Sequence, residues 1–575
     1  MRVELLTGGE AMNLIKLFMT VISVLLAILV LQVAPSQALS VVDTKHNLSA
    51  GATASNIRAL DEQRVCIFCH SPHHASSVTP LWSRPTGGSV YDIYASSSLA
   101  ARPGQPTGTS RLCLSCHDGT IAVGMLFGAT QPIPMIGGIT TIPVGTSNLG
   151  TDLRDDHPIS FTYDHSLLLE KQGELTDPSL LISKGIKLEE ERMECSSCHD
   201  PHKNPFGKFL VKSNQIPYNE ETYLCAACHN KAGWAASSAR NLSLSIVVNG
   251  TPKTLYACEV CHMTHKADQP VRLIRGVTEQ DTCIKNCHNG SLPLESFGTN
   301  VGAQFSKAFR HPLDYANGVH ALTENPLTAG KHVECVDCHN PHQANSQGAP
   351  LSSPPAINGR LTGVKGVDIS GSVVAMANYE YEICLKCHAE NSFVSSAAIP
   401  RQNGDTNERL RFDPVNLSFH PVAAVGKNTA SVPSLRLEIS GVTPVRALST
   451  SSRVYCSDCH DPHGADTPHL LVARYEQPNA YLPYLQSNYA LCYRCHDQNI
   501  LLAPTLSAFP PHQSHVETHK VPCSVCHDPH GVAVNAHLIN FDTRSSFVNP
   551  IPAPVYDSAT RSCTVSCHSV NPKIY

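Results

Sequence analysis

Aromatic residues are scarce in this sequence, at 6% of 575 residues with only two tryptophans. Charged residues are scarce as well, at 15%. The formal net charge is −5 and no run of Lys and Arg forms a basic face, which excludes nucleic acid as a partner. Beyond the first forty residues no apolar run is long enough to span a bilayer. With 35 glycines and 41 prolines, such a chain builds few long helices and a thin core from its own side chains. The apolar mass of the folded protein has to come from another source.

The N-terminus sets the compartment. After Lys16 comes an apolar run from Leu17 to Leu31, then small residues at Ser36 and Ala38. This is the layout of a secretory signal peptide cleaved after Ala38, with Met12 as the start. The chain is therefore expected to be exported, with no transmembrane segment left after cleavage.

What the sequence has in quantity is cysteine, 24 residues in all. A disulfide framework would need no histidine, and a zinc site would need two cysteine pairs per metal. Here each pair is followed directly by His. Ten read Cys-x-x-Cys-His: Cys66/Cys69/His70, Cys113/Cys116/His117, Cys195/Cys198/His199, Cys225/Cys228/His229, Cys258/Cys261/His262, Cys335/Cys338/His339, Cys384/Cys387/His388, Cys456/Cys459/His460, Cys492/Cys495/His496 and Cys523/Cys526/His527. Two have one more spacer residue, Cys283/Cys287/His288 and Cys563/Cys567/His568. Two thiols on one helical face reach the two vinyl groups of one porphyrin, and the adjacent His becomes the iron's proximal ligand. Twelve covalent haem c groups are expected, supplying the missing apolar core. The fold class that follows is mostly irregular coil with short helices and a few short hairpins, an extended multihaem cytochrome whose core is stacked haems. Such a chain should not fold without its haems.

Every odd-numbered motif carries a second histidine three residues after the first: His73, His202, His265, His342, His463 and His530. The even-numbered motifs lack it. Three residues cannot wrap a macrocycle, so this second His is expected to ligate a neighbouring iron as a distal ligand. The alternation makes the repeating unit a haem pair, used six times. The units run 39–150, 151–250, 251–300, 301–400, 401–505 and 506–575, after the leader 1–38. Three residues span at most ~10 Å, so the pairs are close, and the Pro before five of these histidines stiffens the link. For the even motifs, His157, His311, His420 and His515 are candidate distal ligands, assigned to the second, sixth, eighth and tenth haems. His46, His332 and His519 form a further pool for the fourth and twelfth. Met125 is an alternative axial ligand, and His469 is expected to be a loop histidine. Trp82 and Trp234 are expected to pack on porphyrin. Hairpins are predicted over 242–257 and from Ser434 onward.

The twelve motifs, the repeated CxxCHxPH signature and "CLSCHDGT" resemble the multihaem c-type cytochromes of metal-reducing bacteria. That resemblance implies a periplasmic, outer-membrane-associated or extracellular protein. It also implies electron transfer toward metal oxides or other terminal acceptors. The partners it implies are other c-type cytochromes, an outer-membrane barrel, a mineral surface or further copies in a homo-polymer. The competing class is a multihaem oxidoreductase of nitrite or hydroxylamine type with one open iron. Its marker, a Lys in place of a motif His, is absent here, so an electron carrier without catalytic residues is the expectation.

Overall fold

The computed structural model describes residues 40–574, except 74, 76–80, 172, 215–216, 249, 286, 291–299, 314–323, 347–352, 391–398, 428–432, 476–482, 545–552 and 569–572. The leader, His74 and His320 lie outside the described residues. Regular structure is sparse and local. The longest described helices, Gly108–His117 and Glu380–His388, each end on a motif histidine. In other motifs the helix is a single turn over the cysteines, as in Cys195–Cys198, Cys258–Cys261 and Cys335–Cys338. One turn is the minimum that brings the two cysteines to one side.

Pairing between strands is equally short. Ser243–Val248 and Thr251–Tyr256 form an antiparallel hairpin, Leu244 opposite Leu255 and Val248 opposite Thr251. A second ladder follows Ser434, with Glu438 bridged to Ala447. Both lie where the sequence predicts them. No described helix is long and apolar enough to cross a membrane.

By their contacts the residues form two compact units. One comprises Met1–Ser89, Pro106–Gly150 and Ile182–Ser213 and carries the first three motifs. The other comprises Val90–Gln105, Thr151–Leu181 and Asn214–Tyr575 and carries the remainder.

Apolar side chains gather in small separate clusters around attachment cysteines. In the first unit, Ala59, Ile67, Phe68, Val123 and Met135 pack beside Cys69. In the second, Val367, Tyr381, Leu385, Ala389, Phe412 and Val422 pack beside Cys456, and Tyr489, Tyr493, Leu502 and Val516 beside Cys523. Clusters of four to six side chains are too small to offset the backbone entropy of a chain this long. The stability has to come from what the cysteines attach.

Candidate haem centres

The odd-numbered motifs share a backbone return. In the ninth, the Asp461 N–H donates to Leu470 O at 2.7 Å and the Val472 N–H to Cys459 O at 3.0 Å. Between these two bonds, His460 donates through Nδ1 to His469 O at 2.7 Å. The same return recurs at His199 with Lys208 O (2.8 Å), at His262 with Arg272 O (3.0 Å) and at His527 with His537 O (2.9 Å). At each return two consecutive residues are left-handed: Lys208 and Phe209, Arg272 and Leu273, His469 and Leu470, His537 and Leu538. A non-glycine residue there costs roughly 1–2 kcal/mol. The turn holds that strain because it aims a carbonyl at the ring. A carbonyl only accepts, so Nδ1 carries the hydrogen and Nε2 presents its lone pair.

Opposite these lone pairs stand second imidazoles. At the odd motifs the rings are nearly parallel: His70 with His202 (6.1 Å between centres, 15°), His262 with His342 (6.2 Å, 8°), His339 with His463 (6.2 Å, 17°) and His460 with His530 (6.1 Å, 26°). The partner of each is the second histidine of the next odd motif. At the even motifs the rings are crossed: His117 with His46 (6.2 Å, 59°), His229 with His157 (6.2 Å, 77°), His388 with His311 (6.3 Å, 57°) and His496 with His420 (6.4 Å, 66°). The eleventh motif's His527 faces His512 (6.2 Å, 42°), and the twelfth motif's His568 faces His515 at a tighter 5.6 Å.

This spacing fits one metal between each pair. Metal–imidazole bonds of about 2.0–2.1 Å on both sides, plus the two ring radii, put the centres roughly 6 Å apart. Burial keeps several of these rings neutral and able to ligate. It pushes His229, His342 and His512 down to about 3, and His46, His388, His496 and His527 to about 4.

The even-motif partners differ from the sequence assignment in a regular way. His157, His311, His420 and His515 stand opposite the fourth, eighth, tenth and twelfth proximal histidines, not the second, sixth, eighth and tenth. The ligand precedes its own even motif in the chain. The reason lies in the Pro of CxxCHxPH. The Pro462 carbonyl accepts from His311 Nδ1 at 2.6 Å, the Pro529 carbonyl from His420 Nδ1, and Pro201 O lies 3.4 Å from His46 Nδ1. The third, ninth and eleventh motifs thus each orient the histidine that faces the even motif before them.

The remaining candidates are placed elsewhere. His73 is exposed. His265 lies 2.9 Å from an Asp156 carboxylate oxygen. His332 donates through Nδ1 to Gly330 O at 2.7 Å, with Nε2 3.1 Å from Glu324. The backbone N–H of His519 caps the turn Ser514–Thr518. Met125 enters through its carbonyl, which accepts from Arg84. Trp82 bridges to His70, and its ring meets that imidazole edge-on at 6.0 Å. Sequence reasoning missed His512 as a facing ring, and the carbonyl role of His469 and His537. Their signal was the repeated apolar step "FLV", "LIR", "LLV", "LIN" some ten residues after the motif histidine.

The attachment cysteines are electrostatic neighbours in sequence order, and four pairs of them, Cys113 with Cys195, Cys225 with Cys258, Cys283 with Cys335 and Cys384 with Cys456, are hydrogen-bonded. In the first unit, Cys69 interacts with Cys116, and Cys113 is hydrogen-bonded to Cys195. In the second, Cys225 pairs with Cys258, Cys261 with Cys287, Cys283 with Cys335, Cys338 with Cys387 and Cys384 with Cys456. The succession continues through Cys459 with Cys495, Cys492 with Cys523 and Cys526 with Cys563. Second cysteines join an odd motif to the even motif after it, except at Cys526, whose nearest neighbour is the first cysteine Cys563, and first cysteines join an even motif to the next odd one.

The expectation of two thiols on one helical face is met by 3₁₀ turns as well as α-turns, and needs correction at the twelfth motif. Cys228 lies just past the end of a 3₁₀ turn, Cys225–Ala227, and not within an α-helix. At three residues per turn Cys225 and Cys228 still fall on one side. The Cys228 carbonyl accepts from the Thr176 N–H at 2.8 Å, and its thiol is an electrostatic neighbour of the Tyr163 hydroxyl. Cys567 departs further. Its partner Cys563 sits in the strand Ser562–Thr564, whereas Cys567 sits in the turn Ser566–His568 that follows, where it is exposed. The extra spacer residue takes this pair off a single helical turn. Cys567 nevertheless remains an electrostatic neighbour of Cys526 in the eleventh motif, as Cys563 does.

Residues 190–233 and 450–500 match the model of the family described as "Doubled CXXCH motif". The chain is also 24% identical over 207 residues to the multiheme cytochrome MtrA of Shewanella baltica. That match takes in 34% of this chain and 43% of the relative's length. Together with the motifs, these similarities support a multihaem c-type cytochrome family for the chain.

Proposed function

We propose that the chain is a dodecahaem electron-transfer wire. Haem c, when bound, supplies a reversible one-electron iron couple at each motif. The chain's residues do the rest. Cysteine pairs would anchor each haem, the motif histidine and, at ten motifs, its facing imidazole would hold the iron, and backbone carbonyls set which ring nitrogen is free to do so. The proximal ligands are the twelve motif histidines. The distal set is His46, His157, His202, His311, His342, His420, His463, His512, His515 and His530. His73 and His265 remain candidates from their position in the motif.

The observation that carries the reading is that attachment cysteines of successive motifs are neighbours in sequence order within each unit, four pairs of them hydrogen-bonded. Neighbouring attachment points in the chain are neighbours in space, which is what a wire requires and what a set of isolated redox sites would not need. Ten of the twelve motif histidines face a second imidazole, an arrangement that closes an iron to substrate and favours a carrier over an enzyme.

Export follows from the leader at residues 1–38 and from the covalent attachment itself. The proposed partners are other c-type cytochromes, an outer-membrane barrel or further copies of the chain, with a metal oxide or another terminal acceptor beyond them. Cell fractionation and cross-linking test this part. The wire is tested by replacing Cys384 and Cys387 with Ala, which removes the eighth haem from mid-chain. Film voltammetry of the loaded protein should show all irons exchanging electrons before the change and slowed exchange across the gap after it. Unchanged exchange would sink the reading.

A further inference from the structure

The helix Glu380–His388 carries two buried charges of opposite sign, and each reaches into a different neighbouring motif. Glu380 is 7% exposed and Lys386 is 8% exposed. The Glu380 carboxylate accepts from the Ser457 N–H at 2.9 Å and the Ser457 hydroxyl at 2.7 Å. Ser457 is the first residue between the cysteines of the ninth motif. Glu380, Cys384 and Cys456 bring their ligand atoms within 4.8 Å of one another. At the other end, Lys386 Nζ donates to the backbone carbonyl of Asp337, between the cysteines of the seventh motif. Lys386 is also an electrostatic neighbour of both Cys338 and Cys387.

The arrangement has relatives in the chain. Glu279, four residues before Cys283 as Glu380 is before Cys384, accepts from the Val336 N–H at 3.2 Å, at the same position of the seventh motif. Thr109, four before Cys113, meets Ser196 of the third motif at 2.7 Å. Helix packing alone asks only for a hydrogen-bonding group at this position, as Thr109 shows. In the eighth motif the position is a carboxylate, and the opposite flank has an ammonium.

We infer that Lys386 and Glu380 tune the irons on the two flanks of the eighth attachment site in opposite directions. Lys386 favours the reduced state at the seventh and eighth sites, and Glu380 disfavours it at the eighth and ninth. This rests on the haem-wire reading. Reduction lowers the charge of an iron centre by one, so a buried cation nearby stabilises the reduced form and a buried anion opposes it. Both act strongly because little water screens them. Other charges lie close: Asp337 Oδ1 is 3.8 Å from Lys386 Nζ, and Arg446, paired with Asp458, is an electrostatic neighbour of Glu380. They set a background, but the sign of the change on removing one charge does not depend on them. Neither residue anchors haem or ligates iron.

The test uses the full haem-loaded chain with Lys386→Met and Glu380→Gln, read by potentiometric titration with magnetic circular dichroism. Haem content and low-spin character are measured first, and their loss in the unaltered protein would count against the wire reading alone. Lys386→Met should lower the affected potentials and Glu380→Gln should raise them. Each should change the oxidised-to-reduced ratio on the order of tenfold, ~59 mV for a one-electron couple. Lys386→Arg should restore the original values. Shifts in the same direction, no shift, or an Arg variant that behaves like Met would overturn the inference and leave a purely structural clasp. If Lys386→Met fails to load its haems, Glu380→Gln decides: an upward shift supports the inference, and none or a downward one overturns it.

Discussion

His311 donates through Nδ1 to the carbonyl oxygen of Pro462 at 2.6 Å. The contact explains why the octapeptide Cys456–His463 holds two histidines and a proline so close together. His460 follows the cysteine pair of its own motif, His463 faces His339 of the seventh motif, and Pro462 holds the histidine that faces His388 of the eighth. One short stretch fixes three neighbouring centres.

His463 is therefore expected to matter at a distance. In His463→Ala, the haem on Cys456 and Cys459 should remain attached and ligated by His460. The iron on His339 should lose its sixth ligand and turn high-spin, one centre in twelve. Magnetic circular dichroism of the oxidised protein checks this. If all irons stay low-spin, His463 is a turn residue.

His469 acts through its backbone. Its carbonyl accepts from His460 and its φ is 59°. His469→Gly keeps that conformation without strain and should leave every iron low-spin. His469→Val forces a β-branched residue into the left-handed region, and is expected to destabilise by at least ~1–2 kcal/mol in denaturant titrations. Equal stability of the two variants would detach the carbonyl from its proposed role.

Arg84 is fully buried and donates to the carbonyls of Ser115, Ala122 and Val123 behind the second motif. Arg84→Met removes the donor to the Ser115 and Val123 carbonyls, at roughly 1–3 kcal/mol each, while Ala122 O keeps the Met125 N–H. Hydrogen exchange over residues 112–125 should accelerate more than elsewhere in the chain.

Expression without haem attachment should give no folded protein. The side-chain clusters are small, and the buried imidazoles of each pair would face one another with nothing between them. Far-ultraviolet circular dichroism of the haem-free chain should show coil, and the mature holoprotein should carry twelve haem masses with no free thiol.

Much of this was legible in the sequence. The cysteine spacing pointed to haem c, and the alternation of the second histidine led to the pair as the expected repeat. The assignment of the even-motif ligands fell one even motif short. A His-Pro step looks alike before and after a motif, and only the fold shows that the carbonyl from the following odd motif holds it. The single helical face expected of each cysteine pair failed at Cys563 and Cys567, where the longer spacer runs from a strand into a turn. The left-handed turns were illegible for a different reason: residues such as Lys208, Phe209 and Leu470 have no intrinsic preference for that conformation. The two-unit division also cuts across the sequence order, because residues 90–105 and 151–181 belong with the second unit.

Electron paramagnetic resonance of the fully oxidised protein tests the central claim most directly. Parallel imidazoles split the iron's two π-bonding d orbitals, whereas crossed ones leave them nearly degenerate, so the two geometries give distinct low-spin signals. The facing rings at the first, fifth, seventh and ninth motifs lie within 26° of parallel, and those at the second, fourth, eighth and tenth are crossed by 57° or more. The spectrum should contain rhombic and strongly anisotropic low-spin populations of comparable size. A spectrum dominated by high-spin iron, or by one low-spin class alone, would contradict paired histidine ligation in alternating geometry.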